Sequence, residues 1–494
     1  MHSDCFELFI QECILDQALD RLWIAIAWKN PWRKAPDLHL HYKTNIASSS
    51  LQVAEKYCKL PLRSLPPELV QMIQNYSESS LFWRYISAVG FSYQLSTTTS
   101  NSLESVPLCQ LSAWQRGGRP IVAEASAGHI IRLTIDSYGI RELEKLLESP
   151  PYNGSRFDNV AFIIQKESCL SGVIAKFKHG LLRLELPEAR AGLQIWDTPT
   201  PPDLEHCTFC PANITASTRF HTINLRKTTG ITFFFCHGEV YAIHAHTPTL
   251  PYAKKTLEHL SSRRQRSVIW VYIPISPSDQ VAAFGVQLKR SIGHFVTGQP
   301  RFLFRMRLAG DISVGPYHSG ATQDFILSNS PPMTLIYNAA DLQPISVIGA
   351  YPKHESRPIA PFRHPAPDEP PFRDAYFSSA PLEKVTRVQV FYGEENTYCR
   401  GILFKYENGA QQAVGQCRLG IDPHKTCVKP SSFCFTYESY YRPRTEVRLQ
   451  TVKVEFTCEA EHNYDKDHWT CFTMSGMLRF WFTDEESRLN VTID

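Results

Sequence analysis

Four segments of this 494-residue chain share one spacing, in which a glycine precedes an apolar residue, an aromatic residue stands five positions after the glycine, and a turn residue stands eight positions after it. The segments are Gly172-Val173 with Phe177 and Gly180, Gly230-Ile231 with Phe235 and Gly238, Gly401-Ile402 with Tyr406 and Gly409, and Gly476-Met477 with Trp481 and Asp484. Residues two apart on a strand point to the same face. The spacing therefore predicts strands that begin at the glycines, bury their aromatic residues and end in tight turns. Recurrence of one hairpin unit predicts a chain built mainly of antiparallel sheets.

Local signals refine this prediction. Asn408-Gly409 predicts a hairpin turn, because both residue types tolerate positive φ. Alternating apolar residues predict further strands at 130–135, 160–164, 181–186 and 268–273. Short helices are expected at Arg141–Leu147 and Pro251–Ser261.

The chain is too long for one hydrophobic core, so several domains are expected. The fold class is mainly β with a small N-terminal α module, followed by antiparallel β-rich domains. The expected divisions are an N-terminal helical segment at 1–60, a helical module at 61–100, a β-rich domain at 106–350, a proline-rich linker or surface loop at 351–372, and a C-terminal β domain at 373–494.

Charge and hydropathy limit the kinds of partner and the cellular location that we expect for this protein. A net charge of +3 gives no support for a nucleic-acid-binding surface. Residues 6–28 are apolar but are interrupted by acidic side chains, which favours an amphipathic helix over a membrane span. No secretory signal is recognised, so we expect a cytoplasmic or nuclear protein, no membrane partner, and 14 reduced cysteines.

A helix is predicted to begin at Pro66-Pro67, where a missing N–H costs nothing. The segment 62–96 resembles an F-box through Leu65-Pro66-Pro67-Glu68-Leu69 and Ile73. That family forms a helical hook that docks on the adaptor subunit of an SCF-type ubiquitin ligase. The resemblance implies that the adaptor is contacted by Leu65, Pro66, Leu69, Ile73 and Leu81. An ordinary amphipathic helix packed on the β core is the alternative.

Two further resemblances concern larger parts of the chain. The stretches SESSLFWRY, GITFFFCHGEVYAIHAHT and FWFTDEESRLNV are similar to a group of uncharacterised proteins of filamentous fungi, which implies no particular reaction. Residues 388–393 and 401–409 are similar to strands of jacalin-type lectins, a β-prism family that binds sugars through loops at one end. The last domain is therefore expected to be β-prism or sandwich-like. The comparable loop, at 483–486, lacks the glycine of the family's carbohydrate loop.

His244 and His246 are the strongest indication of an enzyme. Side chains at i and i+2 of a strand share a face, so both imidazoles can reach one ligand. The preceding glycine resembles the start of a cupin metal motif, but no carboxylate follows where that family has glutamate. The alternative is a solvated sheet face shared with Tyr241. No metal and no cofactor is predicted.

Other candidate groups are less distinctive. Trp196 beside Asp197 suits stacking on a sugar, although tryptophan at a strand end is also a common core residue. His206, Cys207 and Cys210 have half of a zinc-like spacing, which Cys236-His237 completes only if the fold brings them together. Residues 315–318 with Asp324 form a further candidate loop site. Buried structural cysteines are the alternative to zinc.

Three functions follow from these features. The first is an F-box-like interaction protein that presents a β-rich ligand-binding platform to an SCF-type ubiquitin ligase. The second is an intracellular lectin-like carbohydrate-binding protein. The third is a loop-site or metal-dependent enzyme acting on a small natural product, with His244 and His246 as first candidates and no catalytic residue assigned. The candidate ligand-binding residues are Trp196, Asp197, Tyr241, His244 and His246.

Overall fold

The computed structural model describes the chain except for residues 1–2, 14–16, 39, 41–47, 78–79, 97–101, 123–128, 189–191, 212–216, 292–293, 339–342, 355–359, 365–368, 394–397, 442–447, 459–468 and 494. Strands account for 45% of the structure and helices for 19%, so the predicted mainly β class is confirmed. The helices concentrate in the N-terminal region, and the sheets are mainly antiparallel and include a short parallel pairing described below.

Two compact units divide the chain: Met1–Pro201 with Thr215–Phe220, and Pro202–Ile214 with His221–Asp494. The division near residue 201 falls inside the segment 106–350, for which the sequence predicted a single β-rich domain. The proline-rich stretch 351–372 lies within the second unit. Within its described part, Phe362 is buried against Ala283 and Leu303.

The first unit begins with five helices. They are α1 (Ser3–Glu12), α2 (Ala18–Ala27), α3 (Ser48–Cys58), α4 (Pro67–Tyr76) and α5 (Leu81–Ser96). The first two pack on the end of α5 through Phe9, Leu22 and Leu95. The Arg21 guanidinium, buried within this contact, donates a 2.6 Å hydrogen bond to the Leu95 carbonyl and so satisfies one acceptor near the C-terminal end of α5.

Nine strands follow these helices in the described part of the first unit. They are β1 (Glu104–Pro107), β2 (Leu111–Gln115), β3 (Ile121–Val122), β4 (Ile130–Asp136), β5 (Gly139–Leu146), β6 (Ala161–Lys166), β7 (Ile174–Lys178), β8 (Leu181–Glu185) and β9 (Gln194–Trp196). One sheet has the order β1-β7-β8 and another contains the run β9-β6-β4-β5-β2-β3. Both contribute apolar side chains, such as Leu133, Leu143 and Phe177, to one core.

The prediction of a helix at Arg141–Leu147 is wrong, because these residues belong almost entirely to β5. This strand pairs with β4 on one side and with β2 on the other. Its charged residues have partners across the sheet: the Arg132 guanidinium lies 2.6 Å from a Glu144 carboxylate oxygen. Pairing on both sides overrides the helical propensity of the Glu- and Lys-rich sequence.

The second unit starts with eleven strands and two short helices. They are β10 (Thr208–Cys210), β11 (Thr218–Asn224), β12 (Gly230–Cys236), β13 (Glu239–His246), α6 (Lys254–Glu258), α7 (Ser262–Ser267), β14 (Ile269–Pro274), β15 (Val281–Ser291), β16 (His294–Met306), β17 (Gly310–Val314), β18 (Thr322–Ser328), β19 (Thr334–Asn338) and β20 (Ile348–Tyr351). The first three residues of β11, which belong to the first unit, pair in parallel with β9. Within the second unit the orders are β10-β20-β19, β13-β12-β14 and β17-β16-β15-β18. A helix within the predicted range Pro251–Ser261 is confirmed as α6.

Ten more strands finish the second unit. They are β21 (Tyr376–Pro381), β22 (Val385–Tyr392), β23 (Cys399–Tyr406), β24 (Gln411–Gly415), β25 (His424–Val428), β26 (Ser432–Tyr441), β27 (Arg448–Thr457), β28 (Thr470–Thr473), β29 (Met477–Phe482) and β30 (Ser487–Thr492). They form three antiparallel sheets, with the orders β21-β29-β30, β24-β23-β22-β25 and β27-β26-β28. The first of these sheets joins strands from both ends of the segment.

All four repeated segments contain strands, and Phe177, Phe235, Tyr406 and Trp481 are all buried. The predicted start at the glycine holds only for Gly230. Gly172 and Gly476 precede their strands with positive φ, and Gly401 lies inside β23. In the fourth segment, the face of the strand that carries the aromatic residue does not point into the main core. Its +2, +4 and +6 residues join the main core of the second unit, whereas Trp481 packs on the opposite face, 4.6 Å from the Phe377 ring. The Asn408-Gly409 hairpin is also confirmed: β23 pairs with β24, the Gly409 amide donates to the Tyr406 carbonyl, and only Gly409 has a positive φ, of 85°.

The expectation that all cysteines stay reduced is wrong, since Cys434 and Cys471 form a disulfide. These two residues are opposite each other on β26 and β28, with Cα atoms 4.1 Å apart. Strand register creates this proximity, and a separation of 37 residues gives no sequence signal for it. In the described part of the chain, no helix combines the length and apolar character needed to cross a membrane.

Candidate functional site

The most exposed apolar surface of the described helical module lies on α4. Leu69, Met72, Ile73 and Tyr76 have relative exposures between 41% and 89%. Their i, i+3, i+4, i+7 spacing places them on one helix face. Leu81, at the start of α5, is also exposed. Of the five residues that the F-box resemblance assigns to the adaptor, Pro66, Leu69, Ile73 and Leu81 are exposed and Leu65 is half-buried.

The opposite side of α4 has its own small core. Val70 packs with Ala54, Leu62, Trp83 and Ile86. Pro66-Pro67 starts the helix without losing a backbone hydrogen bond, and the Ser77 amide donates to the Ile73 carbonyl at its end. This division of faces means that the exposed residues are not needed to hold the module together.

A side-chain contact links α4 and α5 near their junction. The Trp83 indole N–H donates a 2.8 Å hydrogen bond to the Ser77 hydroxyl. Because Ser77 ends α4 and Trp83 lies in the first turn of α5, this bond ties the two helices near their junction. Leu81 lies between these two residues in the sequence, so the bond constrains its position relative to α4.

His244 and His246 lie on one face of β13, as predicted, with ring centroids 4.7 Å apart. Each ring nitrogen has a protein partner. His244 Nδ1 lies 2.8 Å from the Thr256 hydroxyl, and its Nε2 lies 3.2 Å from the Leu250 carbonyl. His246 Nδ1 lies 2.8 Å from the Pro251 carbonyl, and its Nε2 lies 2.7 Å from the Thr232 hydroxyl. Both side chains are buried and fasten the segment 250–256 to the sheet, so neither offers a lone pair to a ligand.

The neighbouring candidate Tyr241 also has local partners. The Arg264 guanidinium lies 4.1 Å from the centroid of its ring, and its hydroxyl lies 3.4 Å from a Glu239 carboxylate oxygen. Stacking of this kind stabilises the arginine by a cation–π interaction. Tyr241 therefore packs against the helix α7 that contains Arg264, and the solvated sheet face shared with the histidines is not found.

Trp196 and Asp197 are core residues of the first unit, with exposures of 2% and 1%. The Trp196 ring lies 4.8 Å from the Phe220 ring. The Asp197 carboxylate lies 3.4 Å from the Arg156 guanidinium, which compensates its burial. A buried indole cannot stack on a sugar, so this placement removes the exposed-tryptophan site that the sequence suggested.

The cysteines with zinc-like spacing do not converge. Burial raises the pKa of Cys207 to about 12 and raises that of Cys236 to about 11. Thiols with a raised pKa are poor metal ligands, because the thiolate is the binding form. Among the described residues, no three His, Cys, Asp or Glu side chains are grouped so as to hold a metal ion. The arrangement matches the alternative of buried structural cysteines.

The structure adds Arg301 to the candidate loop site around His318 and Asp324. The sequence did not indicate this residue. Arg301 on β16 is 5% exposed, and its guanidinium donates a 2.7 Å hydrogen bond to the Ser313 hydroxyl. Burial and the Arg301 charge lower the pKa of His318 to about 4. Arg301 also contributes to lowering the pKa of Asp324, through a weaker effect than the hydrogen bonds from His364 and Gln287.

The pairing of β15 with β16 and β18 brings this polar cluster together. Gln287 on β15 is opposite both Arg301 and Asp324, so the three side chains form a row across the sheet. The Gln287 amide donates a 2.9 Å hydrogen bond to one Asp324 oxygen, and His364 lies 2.7 Å from the other. A row of this kind appears only when pairing is known, because the residues are 14 and more positions apart in the sequence.

A small cleft lies beside the turn between β29 and β30, where the lectin resemblance placed its loop. It has about 10 Å³ of water-accessible space and is lined by Tyr398, Arg400, Gln416 and the stretch 482–487. The Gln416 amide donates a 3.0 Å hydrogen bond to the Thr483 carbonyl, and the Thr483 hydroxyl accepts from the amides of Glu485 and Glu486. Burial raises the pKa of the Glu486 carboxyl. The cleft has room for about one water molecule.

Comparisons with known proteins do not assign the chain to a family. No protein-family model matches it, and no curated protein is significantly similar to it.

Proposed function

We propose that this protein is an F-box-like interaction protein whose segment 62–96 docks on the adaptor subunit of an SCF-type ubiquitin ligase. The observation that carries the proposal is the exposed face of α4, formed by Leu69, Met72, Ile73 and Tyr76. In this proposal the β-rich units bind the molecule that is brought to the ligase.

The energetics of the exposed face favour a protein partner. Burying a leucine or isoleucine side chain contributes about 1.5–3 kcal/mol. The module leaves Leu69 and Ile73 in solvent although the same helix buries Val70 in a core of its own. Surfaces of contiguous apolar side chains on soluble proteins commonly mark interaction sites.

The proposal is tested by binding of the full chain to the purified adaptor subunit. The variant Leu69→Ala with Ile73→Ala should weaken binding by about 30-fold or more, corresponding to about 2 kcal/mol at interface hot spots. Its melting temperature should match that of the wild type, because both side chains are exposed. Calorimetric titration measures the binding, and thermal denaturation measures the stability.

Two controls interpret the result. Leu19→Ala removes a more exposed leucine from α2 and should leave adaptor binding unchanged. Val70→Ala creates a cavity in the core of the module and should lower its stability by about 2 kcal/mol. Absence of binding by the wild-type chain would refute the proposal, as would equal losses from Leu19→Ala and from the α4 variant.

A second candidate function is carbohydrate binding by the C-terminal strands. Its specific support is the acidic turn between β29 and β30, where Asp484, Glu485 and Glu486 line the same cleft as Tyr398. Because that cleft holds about one water molecule, the sugar would lie on the outer surface of the turn. Carboxylate oxygens accept hydrogen bonds from sugar hydroxyls, and an aromatic ring packs on the apolar face of a sugar. Glycan-array binding by the wild type, lost in Asp484→Asn and retained in Asp374→Asn, would support this function. Equal signals from all three proteins would contradict it.

A further inference from the structure

Two cysteine thiols are in contact at the edge of the C-terminal sheets. Cys427 lies on β25, and Cys458 directly follows β27. Their sulfur atoms are 3.1 Å apart, and the Cys458 thiol also lies 3.0 Å from the Val428 carbonyl oxygen. No other candidate function in the chain uses these residues.

The two thiols differ in their surroundings. Cys458 is exposed, whereas Cys427 is only partly accessible. Burial, together with the hydrogen bond to Cys458, raises the pKa of the Cys427 thiol. Since the thiolate is the nucleophile in thiol–disulfide exchange, the accessible Cys458 is the better first nucleophile.

The location of the two cysteines determines which elements a bond between them would connect. β25 is the outer strand of the sheet β24-β23-β22-β25, and β27 is the outer strand of the sheet β27-β26-β28. A bond between the two sulfur atoms would therefore join the edges of two sheets. In the second of these sheets, Cys434 and Cys471 are already joined by a disulfide.

We propose that Cys427 and Cys458 form a reversible dithiol–disulfide site that reacts with low-molecular-weight disulfides such as glutathione disulfide. The Cys458 thiolate attacks one glutathione sulfur, which breaks the glutathione disulfide, releases one glutathione thiolate and leaves a mixed disulfide on Cys458. The Cys427 thiolate then attacks the Cys458 sulfur and releases the second glutathione thiolate. The two protein thiols lose two electrons, glutathione disulfide gains them, and the two thiol protons end on the released glutathione.

The test titrates the full-length protein with glutathione buffers of increasing disulfide fraction. Remaining thiols are trapped with N-ethylmaleimide, and peptides are identified by mass spectrometry. Cys427 and Cys458 should disappear from the alkylated pool together, with the appearance of one cross-linked peptide pair. Return to reduced glutathione should restore both thiols. The oxidised protein should melt several degrees higher than the reduced one, because the bond constrains the unfolded chain.

Variants separate the two steps. Cys427→Ser should retain glutathione on Cys458, since the second thiol is missing, while Cys458→Ser and Cys458→Ala should leave Cys427 alkylatable throughout. Cys169→Ser removes an exposed cysteine of the first unit and should leave the coupled titration unchanged. Independent glutathionylation of Cys427 and Cys458 in the wild type would overturn the proposal. Pairing of Cys458 with Cys434 or Cys471 would also overturn it.

Discussion

His246 shows how single side chains in the second unit are fixed by their partners. The Pro251 carbonyl can only accept a hydrogen bond, so His246 Nδ1 carries the proton, and Nε2 accepts from the Thr232 hydroxyl. Burial lowers the pKa of this imidazole. The neutral ring thus acts as a connector between β12, β13 and the segment after β13, which is a structural role rather than a catalytic one.

His318 leads to a prediction about pH. Burial, the Arg301 guanidinium and, more weakly, Lys289 lower its pKa to about 4, from 6.5 in the unfolded chain. Between these values the unfolded chain binds a proton that the folded chain does not. The contribution of His318 is therefore fully present above pH 6.5 and is lost as the pH falls toward about 4. Between pH 7 and pH 5 the loss should be on the order of 2 kcal/mol.

Urea denaturation of the wild type and His318→Gln at pH 7 and pH 5 measures this effect. The free energy of unfolding should fall less between the two pH values in the variant than in the wild type. Part of the dependence should persist in the variant, because burial also lowers the pKa of His246. Identical pH dependence of the two proteins would contradict the role assigned to His318.

At the scale of elements, the β23–β24 hairpin gives the second prediction. Gly409 has φ of 85°, and a Cβ atom at this position would lie 2.6 Å from the Ser278 hydroxyl oxygen. Gly409→Val therefore combines a backbone conformation that valine avoids with a steric overlap. We expect a loss of about 2–4 kcal/mol in the free energy of unfolding, measured by chemical denaturation.

Gly310→Val is the matched control for this hairpin. Its φ is 80°, but no atom lies within 4 Å of the position of its Cβ. The control should therefore lose only the part that arises from backbone strain, about 1–2 kcal/mol. Equal losses at the two positions would show that the contact with Ser278 contributes nothing.

Local patterns predict these elements better than they predict the sites. The glycine spacing and Asn408-Gly409 identify strands and a turn, because alternation and turn chemistry operate over a few residues. The helical prediction at 141–147 failed because pairing of β5 on both sides decides its conformation. The polar row of Arg301, Gln287 and Asp324 depends on register between three strands, which the sequence does not encode locally.

For the α4 helix, the sequence predicts the element but not which of its residues face solvent. Its start at the proline pair and its apolar spacing are evident in the sequence, and the helix is found at Pro67–Tyr76. Which apolar residues face solvent is decided by α3 and α5, whose Ala54, Trp83 and Ile86 take Val70 into their core. The Cys427–Cys458 contact had no sequence signal either, because its two strands belong to different sheets.

At the scale of the whole molecule, one core extends through most of the second unit. It includes Phe233 and Phe302 before the proline-rich stretch, and Phe404 and Phe480 after it. The Phe235 and Tyr376 rings are 5.4 Å apart across that stretch. Polar contacts also cross it: the Gln416 side chain accepts from the Trp270 amide, and the Gln412 side chain donates to the Ala309 carbonyl. The two parts of the unit are therefore expected to unfold together.

This continuity yields a prediction about fragments. Residues 373–494 expressed alone should lack a cooperative thermal transition and should bind the dye ANS, because the fragment exposes side chains such as Tyr376 that are buried in the full chain. Residues 202–494, which retain both parts of the core, should show one cooperative transition followed by circular dichroism. The variant Gln416→Ala in the full chain should lower the melting temperature of this unit, since it leaves the buried Trp270 amide without its acceptor. A fragment 373–494 that melts cooperatively at the temperature of the longer one would show instead that the C-terminal sheets form an independent domain.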